Sequence, residues 1–143
     1  MTTVTTTTAQ QLADRYAALW TEPDAGARRK AIERLWTEDG AHLVHPPEEI
    51  RAEATRVGFP EPALEARGYR ELEFRVARAY QEFVAPGEFT FRARQDAVRL
   101  RDVVRFSWEM VSVRDGEPAG GGVEFVVLDA EGRITADYQF PGL

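Results

Sequence analysis

The sequence has no cysteine and a single lysine, Lys30, among its 143 residues. Without cysteine there is no disulfide, no thiolate nucleophile and no zinc–sulfur site. Serine occurs only at Ser107 and Ser112, and neither lies in the tight turn that exposes a hydrolase nucleophile. No apolar run approaches the roughly 20 residues needed to cross a bilayer. The first ten residues, MTTVTTTTAQ, lack the basic start and apolar stretch of an export signal. Positive charge is short as well. The 18 basic and 24 acidic side chains leave a formal net charge of −6, which disfavours nucleic acid, because phosphate binding needs clustered cations. A cytoplasmic protein with no membrane and no nucleic-acid partner is expected.

What is present suits one folded domain. The chain is 43% apolar and 10% aromatic, enough for a core at this length. The threonine-rich residues 1–8 read as a disordered tail and 9–143 as the domain. Leu12, Ala13, Tyr16, Leu19 and Trp20 recur at helical spacing. Asp24 is placed to cap a second helix carrying Ala27, Ala31, Ile32, Leu35 and Trp36. That helix should stop at Thr37-Glu38-Asp39-Gly40, with Gly40 supplying permissive backbone. Residues 41–45 read as a short strand ended by Pro46-Pro47, residues 48–57 as a helical turn or two, and 58–62 as a loop. A third long helix runs from Tyr69 to Phe83 and ends at Pro86-Gly87.

Beyond Gly87 the period changes from helical to two. Phe89, Phe91 and Ala93 alternate with polar residues, as do Val104, Phe106, Trp108 and Met110. Asp115-Gly116 marks a hairpin. Residues 123–128 and 134–140 form the last two strands. Helices followed by an antiparallel meander make an α+β plan.

Three stretches carry a family resemblance. Arg15-Tyr16-Ala17-Ala18-Leu19 resembles the first helix of ketosteroid isomerases. Leu35-Trp36-Thr37-Glu38-Asp39-Gly40-Ala41 resembles a helix-to-strand corner of the nuclear transport factor 2-like superfamily. Residues 128–140 resemble the closing hairpin of SnoaL-type polyketide cyclases. The resemblance implies a cone-shaped α+β barrel, with about three N-terminal helices packed in a curved, mostly antiparallel sheet around an apolar pocket. It also implies pairing through the outer sheet face as a homodimer. The superfamily includes non-enzymes, so fold alone does not fix function.

By this resemblance Tyr16 matches a tyrosine that donates to a developing enolate oxygen; the other reading is an aromatic that merely packs. His45 precedes Pro46 where ketosteroid isomerases place an aspartate base. Histidine can move protons near neutral pH, but the replacement departs from the family's pattern, and a strand-end structural role is equally open. His42 and His45 lie three apart on a strand and point to opposite faces, so they cannot chelate one ion; no metal is expected. Counting back from Gly132, Glu124 falls near a second, protonated acid of the isomerases, a pattern known for such sites, although a one-residue slip would turn it outward. Asp137 and Gln139 share a face of the last strand. If that face is inner, Asp137 is a candidate general base. Otherwise it sits in water.

Phe106, Trp108 and Met110, with Gln139, are expected to contact an apolar ligand or else to fill the cone. The arginines at 92, 94, 99, 101 and 105 read as a charged sheet edge or an anion site. Gly120-Gly121-Gly122 lacks the lysine and helix of a phosphate cradle, and no dinucleotide fingerprint occurs. No cofactor is expected. The function expected by resemblance is isomerisation, cyclisation or hydrolysis of an apolar metabolite by His45, Asp137, Tyr16 and Glu124. The alternative is a non-catalytic ligand-binding or dimerisation module.

Overall fold

Thr8 starts the first helix, in a computed structural model that describes residues 7–58 and 64–142. Its hydroxyl accepts from Gln11 N–H while the Gln11 side chain accepts from Thr8 N–H, a reciprocal cap. The expected tail therefore falls mainly on residues 1–6, outside the described residues, and Thr8 itself is tied down. Helix α1 (Ala9–Leu19) buries Leu12, Ala13, Tyr16, Ala17 and Leu19. Helix α2 (Ala25–Leu35) is capped by Asp24, which accepts from Ala27 N–H at 2.7 Å.

Strand β1 (Trp36–Val44) begins five residues before the expected 41. Trp36 is already in the sheet, and the register shifts between Trp36 and Ala41. Gly40 is required here for closeness, not for a left-handed turn. A Cβ at this position would sit 2.7 Å from the Trp36 ring and 2.8 Å from the Ile134 carbonyl. Residues 48–57 give a full helix, α3 (Glu48–Arg56), with no buried residue. Strand β2 (Leu64–Arg67), which no periodicity announced, pairs antiparallel with β1. Helix α4 (Gly68–Ala79) then runs into a π-helical turn, Tyr80–Val84, which takes up the rest of the expected third helix.

The remaining strands are β3 (Phe89–Ala93), β4 (Val98–Leu100), β5 (Val103–Ser112), β6 (Pro118–Leu128) and β7 (Ile134–Pro141). All seven form one curved, unclosed sheet in the order β2-β1-β7-β6-β5-β3, with β4 also paired to β5. Only β1 and β7 run parallel among the described residues. The fold is α+β, with four helices rather than three. The core lies between the sheet's inner face and α1, α2 and α4; Trp36, Phe106, Ile32, Leu72 and Ile134 are its large, fully buried members. None of the described helices is long and apolar enough to cross a membrane. Two of the edge arginines, Arg92 and Arg94, are ion-paired with Glu109 at 2.8 and 2.7 Å.

Candidate active site

Strand pairing decides what meets at the cavity floor. In β1–β7, His42 lies beside Asp137 and Val44 beside Gln139. In β6–β7, Glu124 lies opposite Gln139, and in β5–β6 Phe106 lies opposite Glu124. Alternation sends His42, Val44, Glu124, Asp137 and Gln139 inward together. Helix α1 lays Tyr16 across them.

The resulting contacts are close. Tyr16 O–H donates to Asp137 Oδ2 at 2.6 Å. Trp108 Nε1–H donates to Glu124 Oε1 at 2.9 Å. His42 Nε2 lies 2.7 Å from Gln139 Oε1 and 3.8 Å from Asp137 Oδ2. Glu124 and Asp137 are both fully buried. Their oxygens Oε2 and Oδ1 have no hydrogen-bond partner among the described residues. Burial, and then the negative charge of Asp137, hold the Glu124 carboxyl well above its ordinary value. Burial and its acidic neighbour thus favour the neutral form of Glu124. Burial and the same two acids push the Tyr16 phenol up as well, so it stays protonated. His42 moves down from 6.5, because burial and the Arg75 charge outweigh the pull of Asp137.

Above this floor is a cavity of about 320 Å³, walled mainly by Trp20, Val44, Phe83, Phe91, Trp108 and Met110. Tyr16, His42, Arg75, Glu124 and Gln139 supply its polar atoms.

Of the residues singled out in the sequence, Tyr16, Glu124, Trp108, Met110 and Gln139 line this cavity. Asp137 lies immediately behind it and reaches it through Tyr16. His45 does not reach it. Residue parity turns it to the outer face, where it is exposed and its ring sits 5.6 Å from that of Phe140. The inward histidine is His42. Phe106 is also displaced from the expected wall. It is fully buried under the floor, edge-on to Tyr16 at 5.2 Å. Nothing in the sequence singles out Arg75, because α4 also carries Arg70 and Arg78 and only packing against β1 selects this one.

His42, Glu124 and Asp137 bring one potential metal-ligand atom each within 4.8 Å of the others. As bonded they make a poor ligand set. Arg75 Nη1 donates to His42 Nδ1 at 3.0 Å, so Nε2, the nitrogen facing the acids, carries the ring proton. Burial favours the protonated form of Glu124 as well, and such protons have to be lost before a metal binds.

No protein-family model and no curated protein matches the sequence. Solved structures do. A candidate isomerase of the SnoaL-like family from Agrobacterium tumefaciens is 24% identical, with a TM-score of 0.74 over 94% of this chain and 97% of that one. A nuclear transport factor 2-like protein of unknown function from Exiguobacterium is 17% identical, with a TM-score of 0.59 over 91% and 97%. A candidate SnoaL-like polyketide cyclase from Jannaschia is 12% identical, with a TM-score of 0.60 over 98% and 91%. The chain has the nuclear transport factor 2-like fold.

Proposed function

We propose that the protein is an enzyme that moves protons on an apolar, carbonyl- or epoxide-bearing small molecule held in this cavity. The observation that carries the proposal is the pairing of two fully buried acids, Glu124 lining the cavity and Asp137 directly behind it, an arrangement that favours the protonated form of Glu124. A neutral carboxyl in a dry site can give its proton to a ligand oxygen. The Glu124 carboxylate left behind is desolvated and lies beside Asp137, so it is a strong base and takes a proton back from a neighbouring carbon. One proton leaves and one returns, which completes an isomerisation or enolisation with no change in the enzyme. Tyr16, bonded to Asp137, keeps that negative charge fixed behind Glu124. The same acid could open an epoxide or prime a carbonyl for cyclisation. Structural neighbours described as a candidate isomerase and a candidate polyketide cyclase agree with this class of chemistry.

The test is deuterium exchange at carbons next to a carbonyl, followed by NMR in D2O across a panel of apolar ketones. Native protein should accelerate exchange for some panel members, and Glu124→Gln should lower that rate about a hundredfold or more. Panel ketones that raise the melting temperature without any exchange would leave a binding module and overturn the enzyme. We propose further that the outer sheet face pairs two copies of the chain. Phe125, Tyr138 and Phe140 stand on it, 38–44% exposed, and Phe125 and Phe140 are in edge contact at 5.8 Å.

A further inference from the structure

The hydrogen-bond chain Arg75–His42–Gln139 has a direction that follows from donor chemistry alone. Arginine only donates. Arg75 Nη1 sits 3.0 Å from His42 Nδ1, 3.0 Å from the His42 carbonyl oxygen and 3.2 Å from that of Leu64. His42 Nδ1 must therefore be the bare nitrogen, and Nε2 carries the hydrogen. That hydrogen points at a Gln139 side-chain atom 2.7 Å away, which must be the acceptor Oε1. The Gln139 amide is thereby turned so that its NH2 group is the end left over. That group makes no hydrogen bond to the described residues, and Gln139 lines the cavity.

We infer that Arg75 and His42 are positioning residues that aim the Gln139 NH2 into the cavity as a donor, so that the site selects ligands bearing an acceptor oxygen. Trp108 N–H donates to Glu124 Oε1, and the other oxygen, Oε2, is buried with no hydrogen-bond partner among the described residues. Tyr16 spends its own hydrogen on Asp137. The donor that the cavity offers is thus the Gln139 amide N–H, on β7 opposite Glu124 of β6. A ketone or aldehyde oxygen has lone pairs to accept that N–H, and an alkane of the same shape has no acceptor. This deepens the proposed function by requiring an acceptor oxygen on the apolar ligand, and it rests on that reading only for the chemistry, not for the binding.

Two measurements test it. The first reads the ring nitrogens of His42 by NMR in protein labelled with 15N-histidine. The chain has only two histidines, and exposed His45 serves as the internal reference because it averages both tautomers. Near pH 7, His42 should be neutral, protonated at Nε2 and bare at Nδ1, and Arg75→Met should make the Nδ1-protonated form detectable. A proton on Nδ1 in the native protein overturns the inference. The second compares binding of 2-decalone with that of the hydrocarbon decalin. The ketone should bind more tightly, and Gln139→Leu should weaken it about tenfold while leaving decalin unchanged. Equal binding of the two probes by native protein, or an equal effect of the substitution on both, overturns it. Neither measurement needs turnover. A protein that passes both and exchanges no deuterium would defeat the enzyme reading alone.

Discussion

Glu124 is the residue at which structure and function pull hardest against each other. A carboxyl buried beside Asp137 is held neutral, and that has a cost in stability which pH exposes. Its folded value lies above the ordinary 4.5. Between those two values the folded chain holds a proton that the unfolded chain has released, so stability falls as pH rises through the interval. His42 works the other way: its folded value lies below 6.5, and its contribution falls as pH drops below 6.5. The native–variant difference, rather than the raw slope, therefore isolates Glu124. Glu124→Gln keeps the acceptor for Trp108 and removes the ionisation. Thermal unfolding from about pH 5 to about pH 8 should show the variant gaining on the native protein as pH rises. A constant difference across that range would mean that Glu124 is not held neutral.

At the scale of elements, the glycine run of β6 has a job that its sequence does not reveal. Within Gly120-Gly121-Gly122, it is Gly122 that makes room for Trp108. A Cβ at Gly122 would lie 2.8 Å from the Trp108 ring and 2.8 Å from the Phe140 carbonyl. With Gly there, the indole lies across β6 and its N–H reaches Glu124. Gly122→Ala should destabilise the fold by about 1–3 kcal/mol through overpacking. It should also shift tryptophan fluorescence and lower the Glu124-dependent exchange rate. A variant with native melting temperature and native fluorescence would show that the contact is not needed. Residue parity within elements explains the histidines too. Position 42 faces in and 45 faces out, whatever either side chain could do chemically.

At the scale of the whole molecule, the aromatic row on the outer sheet face remains uncovered in a single chain of 16.1 kDa. That exposed apolar row is the surface on which the proposed pairing of two copies rests. Light scattering coupled to size exclusion should give twice the chain mass at micromolar concentration, and Phe140→Glu should halve it, because two buried carboxylates would face each other across a two-fold axis. A native mass of one chain would overturn the dimer. The cavity lies on the opposite face of the sheet, so its deuterium exchange should survive Phe140→Glu.

The sequence by itself determined the elements and the sidedness of its clearest strands. Helical spacing gave α1 and α2, alternation gave β3 and β5, and parity put Asp137 and Gln139 on one face of β7, because local backbone geometry fixes which side chains share a face but not which face is inner. It also gave Tyr16 through helix α1. Tertiary structure alone decided which of these faces meet. β2 was invisible because four residues carry too little pattern, and Trp36 entered the sheet because β7, nearly a hundred residues away, offered its edge. The choice of His42 over His45 depended on a register set by parallel pairing with β7. The part played by Arg75 depended on helix α4 packing against β1. Such contacts join residues far apart along the chain, and no local period records them.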